Sequence, residues 1–348
     1  MDSLFRSRTV FILGAGASAE VGLPIGSELL DQICDLVNIR YDFSRMVSGD
    51  HQVSEALKMH LAADNGGNEY SEHLRAAWQV IESSNQGISI DNIVDGLEDE
   101  KTELIAKLGI VRAIHAAEKK SRYFHDDRNR PDRLNFRLFT DTWYGSLTKL
   151  ICEGRRRSEL EGVFDNLAFV SFNYDRCIEN YLPRSIANYF GVGVEQVIQR
   201  FNSVPIHRPY GVAGRVEINR QTGVVRGFGG LGAEYLADAA GMIRTFTQGV
   251  ENPESLQAMK DEISNAERIV FLGSAFHRQN LELLRSKIRP STRILATASG
   301  ISDSDKDVVL TEMSEIFGVG YQRGRKLIEF APMFCKDLFN SYWRTLTA

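Results

Sequence analysis

The chain has little cysteine, and its four cysteines fit neither a metal-binding nor a disulfide pattern. Cys34, Cys152, Cys177 and Cys335 are far apart and form no C-x-x-C pair. This spacing argues against a disulfide framework and against a zinc site built from cysteines. We therefore expect no bound metal and a reducing, cytoplasmic environment.

Long apolar runs and an excess of basic charge are also missing. No run approaches the ~20 residues that a membrane helix needs, and the first residues lack the layout of a signal peptide. The net charge of -5 at pH 7 argues against nucleic-acid binding through a basic face. These absences predict a soluble globular protein that binds neither a membrane nor nucleic acid directly.

Short apolar segments that end at small or polar residues are the main signal of secondary structure. We predict strands from them at residues 10–13, 167–172, 269–272, 294–296 and 327–330. Amphipathic helical patterns lie between these segments, the first of them after a cap at Ser27. Unbroken apolar strands that alternate with helices predict a doubly wound, Rossmann-like parallel α/β sheet.

Residues 41–162 interrupt this alternation. They show helical patterns and charged loops but no strand, so we interpret them as a large helical insertion or small subdomain. The Rossmann-like core then comprises residues 1–40 and 163–348. Within the insertion we predict an exposed loop at 125–133, and the arginine run 155–157 is either a solvated turn or a partner site.

A glycine motif, Gly14-Ala15-Gly16-Ala17-Ser18, directly follows the first predicted strand. Glycines here let the chain turn tightly and let a phosphate approach backbone N–H groups near a helix N-terminus. A purely structural turn needs the same residues, so the motif alone leaves both interpretations open. It is not a P-loop, because no Gly-Lys-Ser/Thr follows.

A second polar cluster lies at the end of the strand predicted at 167–172. Ser171, Asn173 and Asp175 would stand at the carboxyl edge of a parallel sheet, where such sheets bind ligands. Asn and Asp side chains can hydrogen-bond a ribose or hold a water there. They also cap helices that follow a strand, and both roles fit this segment.

His207 and the pair Gly273-Ser274 complete the candidate site. His207 stands between an apolar segment and a Pro-Tyr-Gly turn, where it is either a general base or merely exposed. Gly273-Ser274 ends a strand and would let a nucleotide lie close to the sheet edge. Three further histidines fall in the insertion, and we expect them at the surface: His51, His60 and His73.

The order of these motifs resembles the sirtuin family of NAD-binding proteins. The shared elements are a G-A-G-x-S loop, a G-x-P turn, a strand ending in N-x-D, a loop histidine followed by glycine, and a strand ending in G-S. In this chain they are Gly14 to Ser18, Gly22-Leu23-Pro24, Asn173-Tyr174-Asp175, His207 with Gly211, and Gly273-Ser274.

The resemblance implies a role for each motif. Asn173 and His207 would be the catalytic pair, with His207 as the base on the nicotinamide ribose. The glycine loop would cradle the NAD diphosphate, the N-x-D segment would face the nicotinamide ribose, and the G-S segment would contact the adenosine half. The implied cofactor-binding residues are Gly14, Ala15, Gly16, Ser18, Pro24, Ser171, Asp175, Gly273 and Ser274.

Departures from the deacylating sirtuins indicate another branch of the family. The chain lacks their four-cysteine zinc ribbon, and it has Phe172 where they have glutamine. Ile25-Gly26-Ser27 replaces their Asp-Phe-Arg, and Arg208-Pro209-Tyr210 separates the histidine from its glycine. The chain is more similar to the zinc-less, sirtuin-like NAD hydrolases of bacterial antiphage defence, in which water replaces acyl-lysine and NAD depletion arrests the infected cell.

The resemblance therefore implies an NAD glycohydrolase that cleaves its substrate NAD to nicotinamide and ADP-ribose. It also implies assembly into a homo-oligomer, or with a sensor or translocase ATPase through the helical insertion. Two alternatives stay open. One is an NAD-dependent protein deacylase or ADP-ribosyltransferase, and the other is a module that binds NAD or ADP-ribose and only changes its assembly.

Overall fold

A sheet of six parallel strands forms the centre of the fold. The computed structural model describes residues 5–63, 69–124, 134–218, 225–230, 232–245, 248 and 253–347, and the loop predicted at 125–133 lies outside them. The strands of this sheet are β1 Thr9–Leu13, β4 Leu167–Ser171, β5 Ile206–His207, β8 Arg268–Leu272, β9 Arg293–Thr297 and β10 Ile328–Ala331. Their order is β5-β4-β1-β8-β9-β10, and every neighbouring pair runs parallel.

The path of the chain through this sheet is doubly wound. From β1 at the centre the chain moves outward through β4 to β5, and it then returns to β8 on the other side of β1. From there it moves outward again through β9 to β10. This is the 3-2-1-4-5-6 order of Rossmann folds, in which the winding reverses between the first and fourth strands. The predicted fold class is confirmed, and the reversal lies between β1 and β8.

Burial on both faces explains why the strands are recognisable as apolar runs. Every residue of β1, β4 and β8 is buried, as expected for parallel strands covered by helices on two sides. All five predicted strands form, and their ends differ from the prediction by at most one residue. The sixth strand, β5, has only two residues and is too short to produce a pattern in the sequence.

Helices cover both faces of the sheet. They are α1 Ala15–Ala19, α2 Gly26–Val37, α3 His51–Ala63, α4 Tyr70–Ser83, α5 Ile90–Leu97, α6 Glu100–Lys120, α7 Trp143–Cys152, α8 Cys177–Phe190, α9 Val194–Phe201, α10 Ala233–Ala240, α11 Pro253–Asn265, α12 Arg278–Leu283, α13 Asp303–Ile316, α14 Tyr321–Leu327, α15 Cys335–Ser341 and α16 Trp343–Thr347. One hydrophobic cluster contains side chains from α2 to α6, α10, α11 and α13, and the other contains side chains from α7, α8, α9 and α15. The helices of the insertion therefore pack on both faces. Within the described ranges, each helix is too short or too polar to span a lipid bilayer.

Two small antiparallel strand pairs lie outside the main sheet. They are β2 Arg40–Asp42 with β3 Arg45–Ser48, and β6 Glu217–Ile218 with β7 Val225–Arg226. The first pair lies almost wholly within 41–162, for which the sequence predicted no strand, so that prediction is wrong. Its side chains are mostly exposed, and the pair therefore lacks the apolar run that marks a buried strand.

Two further local predictions are wrong. Helix α2 begins at Gly26 rather than after a cap at Ser27, because the Glu28 carboxylate accepts the Ile25 N–H at 3.0 Å and caps the first turn. His73 is buried rather than exposed, and its Nδ1 is 2.9 Å from the carbonyl oxygen of Glu69 one turn earlier.

A buried ion pair joins the insertion to the end of β4. Glu118 in the last turn of α6 is 0% exposed, and Arg176 is 1% exposed. The guanidinium binds both carboxylate oxygens, with Nε donating to Oε1 at 2.8 Å, and the Gly229 N–H donates to Oε2 at 2.9 Å. Burial alone would lower the pKa of Arg176, but the Glu118 carboxylate raises it. Loss of one partner would leave the other charge buried and unpaired.

Glu118→Ala should therefore lower the free energy of unfolding by about 3–5 kcal/mol. Arg122→Ala is the matched control, since its ion pair with Asp141, at 3.1 Å, is about half exposed. We expect a loss of about 0–1 kcal/mol in that variant. Urea denaturation followed by circular dichroism measures the free energy of unfolding of both variants. Equal losses of this free energy in the two variants would contradict a special role for the buried pair.

Candidate functional site

The predicted motifs meet at the carboxyl edge of the three central strands. The loop after β1 lies between the loops after β4 and β8, as the sheet order requires. The Gly14 N–H donates to the Leu272 carbonyl at 2.9 Å, and the Gly16 N–H donates to the Gly273 carbonyl at 3.0 Å. The motif loops thus touch at the point where the winding reverses, which is where open α/β sheets bind ligands.

Close packing between these two loops explains the glycines. A Cβ on Gly14 would lie 2.5 Å from the Gly273 oxygen, and a Cβ on Gly16 would lie 2.9 Å from the Gly273 Cα. Gly273 itself has a φ of +61°, and a Cβ there would overlap the Ala17 nitrogen. These close contacts leave no room for a Cβ at the three positions, which explains why glycine occupies them. Because the amides of Gly14 and Gly16 already donate to carbonyl oxygens, these two groups are not free to bind a phosphate.

Asn173 is anchored to the glycine loop through its side-chain amide. Its Nδ2 donates to the Gly14 carbonyl at 2.9 Å and to the Ser18 Oγ at 3.3 Å. Ser171 holds the backbone, since its Oγ accepts the Asn173 N–H at 3.3 Å. With Nδ2 bound to the protein, Oδ1 is the atom of this half-buried side chain that can accept a hydrogen bond from a ligand or water.

Asp175 is buried, and both of its carboxylate oxygens have partners. Oδ2 accepts the Ser18 hydroxyl at 2.6 Å, and Oδ1 accepts the N–H of Cys177 at the start of α8 at 3.0 Å. Tyr144 of α7 brings its hydroxyl to 3.3 Å from the same Ser18 Oγ. Asp175 therefore acts here as a helix cap and loop anchor, the structural role that its position in the sequence also allowed.

His207 ends β5 and lies opposite Val170 of β4 in the parallel register. Its side chain is half-buried, and burial lowers the pKa of the imidazole, so the ring is neutral at neutral pH. Its Nε2 is buried and has no hydrogen-bond partner in the part of the chain that the structure describes. Among those residues no hydrogen bond joins His207 to Asn173, and the neighbouring Arg208 makes that contact instead.

Arg208 and Glu179 belong to the site although the sequence analysis did not select them. The Arg208 Nη1 donates to the Asn173 carbonyl at 2.9 Å, and its Nη2 is 2.6 Å from the Glu179 carboxylate. Arg208 is one of the residues that separate the histidine from its glycine in this chain, and that departure was the only signal for it. The ion pair fixes the Asn173 backbone from the side of β5.

The other predicted residues lie around this edge. Ala15 begins α1 and is half-buried. Pro24 is buried, and its loop is held by the Leu23 N–H, which donates to the Ser18 carbonyl at 3.2 Å. The Ser274 Oγ accepts the N–H of Phe276 at 3.1 Å and stabilises the turn after β8. The structure thus gathers the predicted cofactor residues at one edge, with His207 on the adjoining strand.

Comparison with known proteins adds no assignment. A scan against models of protein families finds no match, and a search of curated proteins finds no significant match either. Within the described ranges, no group of three or more His, Cys, Asp or Glu side chains is arranged to hold a metal ion.

Gly14→Ala tests the loop contact without imposing a forbidden backbone angle. The added Cβ must push against the Gly273 backbone, and we expect the free energy of unfolding to fall by about 1–3 kcal/mol. Gly26→Ala is the control, because nothing lies within 4 Å of a Cβ at that helical position. There the stability should stay equal or rise by about 0.5–1 kcal/mol. Wild-type stability of Gly14→Ala in chemical denaturation would refute the close packing.

Proposed function

We propose that the protein is a sirtuin-like NAD glycohydrolase that cleaves NAD to nicotinamide and ADP-ribose. The observation that carries this proposal is the meeting of the G-A-G-x-S, N-x-D and G-S segments at the winding reversal of a Rossmann-ordered sheet. Dinucleotides bind across this crevice in such sheets. The three segments follow β4, β1 and β8, which are neighbours in the sheet, and their proximity fits the proposal.

The NAD would lie across the end of β1. Its diphosphate would face the glycine loop near Ala15, the role that the resemblance implies for this loop. The adenosine half would extend toward Gly273 and Ser274 after β8. The nicotinamide ribose would extend the other way, toward Asn173 after β4.

Asn173 and His207 would divide the chemistry between them. Nicotinamide leaves through an oxocarbenium-like state, so the site must hold the ribose and present one oriented water. The Asn173 Oδ1 can accept a hydrogen bond from that water, because Nδ2 is fixed by the glycine loop. The neutral His207 would accept a proton from the water or a ribose hydroxyl; its Nε2 is buried in the described structure, so substrate binding or activation would first have to expose it. Water adds to the anomeric carbon as the bond to nicotinamide breaks, and one proton is released.

We also propose that this activity serves antiphage defence through NAD depletion. Constant loss of NAD would be toxic, so the enzyme would stay silent until a homo-oligomer, a sensor or a translocase ATPase activates it. In cells that contain the activating partner, the NAD level should fall on triggering. His207→Ala should prevent that fall.

The direct test is chromatographic detection of NAD cleavage by purified protein, alone and with its partner. Nicotinamide and ADP-ribose should appear in equal amounts, and Asn173→Ala or His207→Ala should each lower kcat by about 100-fold or more. His51→Ala is the matched control, since His51 is exposed at the start of α3, and it should keep full activity.

The outcomes of this test separate the candidate functions. Cleavage that persists in both site variants would refute the residue assignment. Turnover that requires an acyl-lysine peptide or another acceptor would identify a deacylase or ADP-ribosyltransferase. Tight NAD binding without turnover, even with the partner present, would identify a sensing module.

The pH dependence gives a further test of the base. Burial lowers the pKa of His207 below its ordinary value of 6.5, so the ring should lose its basic form only in more acidic solution. The acid limb of kcat/KM for NAD should therefore lie below pH 6.5. A limb above that value would contradict a desolvated histidine as the base.

A further inference from the structure

Tyr174 stands between Asn173 and Asp175 and has no part in the chemistry above. It is 5% exposed and belongs to the hydrophobic cluster that α2 to α6 help to build. Its hydroxyl donates a hydrogen bond to the carboxylate of Asp91, and its carbonyl accepts the Ala213 N–H at 2.9 Å. Tyr174 is therefore fixed through both its side chain and its backbone.

Asp91 belongs to the helical insertion and is placed by a well-capped helix. It is the second residue of α5, and the Ser89 Oγ caps this helix by accepting the Asn92 N–H at 3.2 Å. A carboxylate in the first turn is also favoured by the helix dipole. Its neighbours Ile90 and Ile93 are buried in the same cluster as Tyr174. The acceptor for the tyrosine is thus held by packing.

The Tyr174 ring also connects the loops of the site to one another. Its centroid lies 6.5 Å from that of Tyr210 in the loop after β5, and the Tyr210 ring lies 5.8 Å from Phe172. The Tyr210 hydroxyl donates to the Asn280 Oδ1 in α12, after β8, at 2.7 Å. This aromatic cluster of Phe172, Tyr174 and Tyr210 links the segments that follow β4, β5 and β8.

We infer that Asp91 is a positioning residue of the NAD site, acting through Tyr174 on the adjacent Asn173. The inference rests on the proposed function. Because the two residues are consecutive, any shift of Tyr174 moves the side-chain amide that orients the water. A displacement of about 1 Å at a reacting group can lower a rate by about 100-fold. The insertion then helps to position a residue of the proposed catalytic pair.

A double-mutant cycle on NAD cleavage tests this role. Asp91→Ala and Tyr174→Phe should each lower kcat by about 10- to 100-fold. KM should change by less than about threefold, because contacts to the rest of NAD remain. Since both residues act through one hydrogen bond, the double variant should be no slower than the slower single variant. Asp91→Asn keeps an acceptor oxygen and should retain most activity. Asn92→Ala, exposed on the same helix, is the matched control.

Amide hydrogen exchange supplies a readout that does not depend on turnover. The amides of residues 173–177 and of Ala213 should exchange faster in Asp91→Ala and Tyr174→Phe, but not in Asn92→Ala. If the wild-type protein does not cleave NAD, the proposed function fails. Faster exchange of these amides in Asp91→Ala and Tyr174→Phe would still support positioning of this segment by Asp91. Additive losses of kcat in the cycle, an unchanged kcat in an active enzyme, or unchanged exchange would each overturn the inference.

Discussion

Four consecutive polar side chains after β4 must find partners inside the protein, and much of the structure depends on how they do so. Asn173 is half-buried, while Tyr174, Asp175 and Arg176 are buried. A buried polar group without a partner costs about 1–3 kcal/mol, and an unpaired charge costs more. The partners come from the glycine loop (Gly14 and Ser18) and from two helices of the insertion, α5 and α6. This requirement holds the insertion and the sheet together.

The ion pair between Glu118 and Arg176 contributes geometry more than net stability. Removing the two charges from water costs several kcal/mol for each ion. Proteins in which apolar residues of similar volume replace a buried ion pair are often equally or more stable. The directional bonds of the pair nevertheless allow only one placement of α6 over the end of β4, because the carboxylate also accepts the Gly229 N–H. Tyr235 adds to this arrangement, since its hydroxyl accepts from the Arg176 Nη1 at 3.4 Å. A displaced α6 would break the bonds that Glu118 makes with Arg176 and with Gly229.

The sequence predicts the features that depend on local pattern, and it misses those that depend on distant partners. β1, β4 and β8 are recognisable because burial on both faces gives each of them four consecutive apolar residues. The exposed β2–β3 hairpin carries no such pattern. The contact between Asp91 and Tyr174 spans 83 positions of the chain, and nothing near either residue marks it. Arg208 could be noticed only as an interruption of a familiar motif. Strand positions and motif order were therefore predictable, whereas the bonds that orient the site were not.

The hydrogen bonds of the candidate site separate its scaffold from the atoms that could do chemistry. The glycine amides at positions 14 and 16 donate to carbonyl oxygens, and both oxygens of Asp175 accept from the protein. The two glycine N–H groups can shape a pocket, but they cannot also bind a substrate without breaking an internal bond. Among the described residues, the Oδ1 of Asn173, just after β4, and the buried Nε2 of His207, at the end of β5, accept no hydrogen bond. A neutral imidazole and a fixed amide are suited to a reaction in which water must be oriented and a proton removed. We therefore assign the proposed activation of water to Asn173 and His207 rather than to the glycine loop.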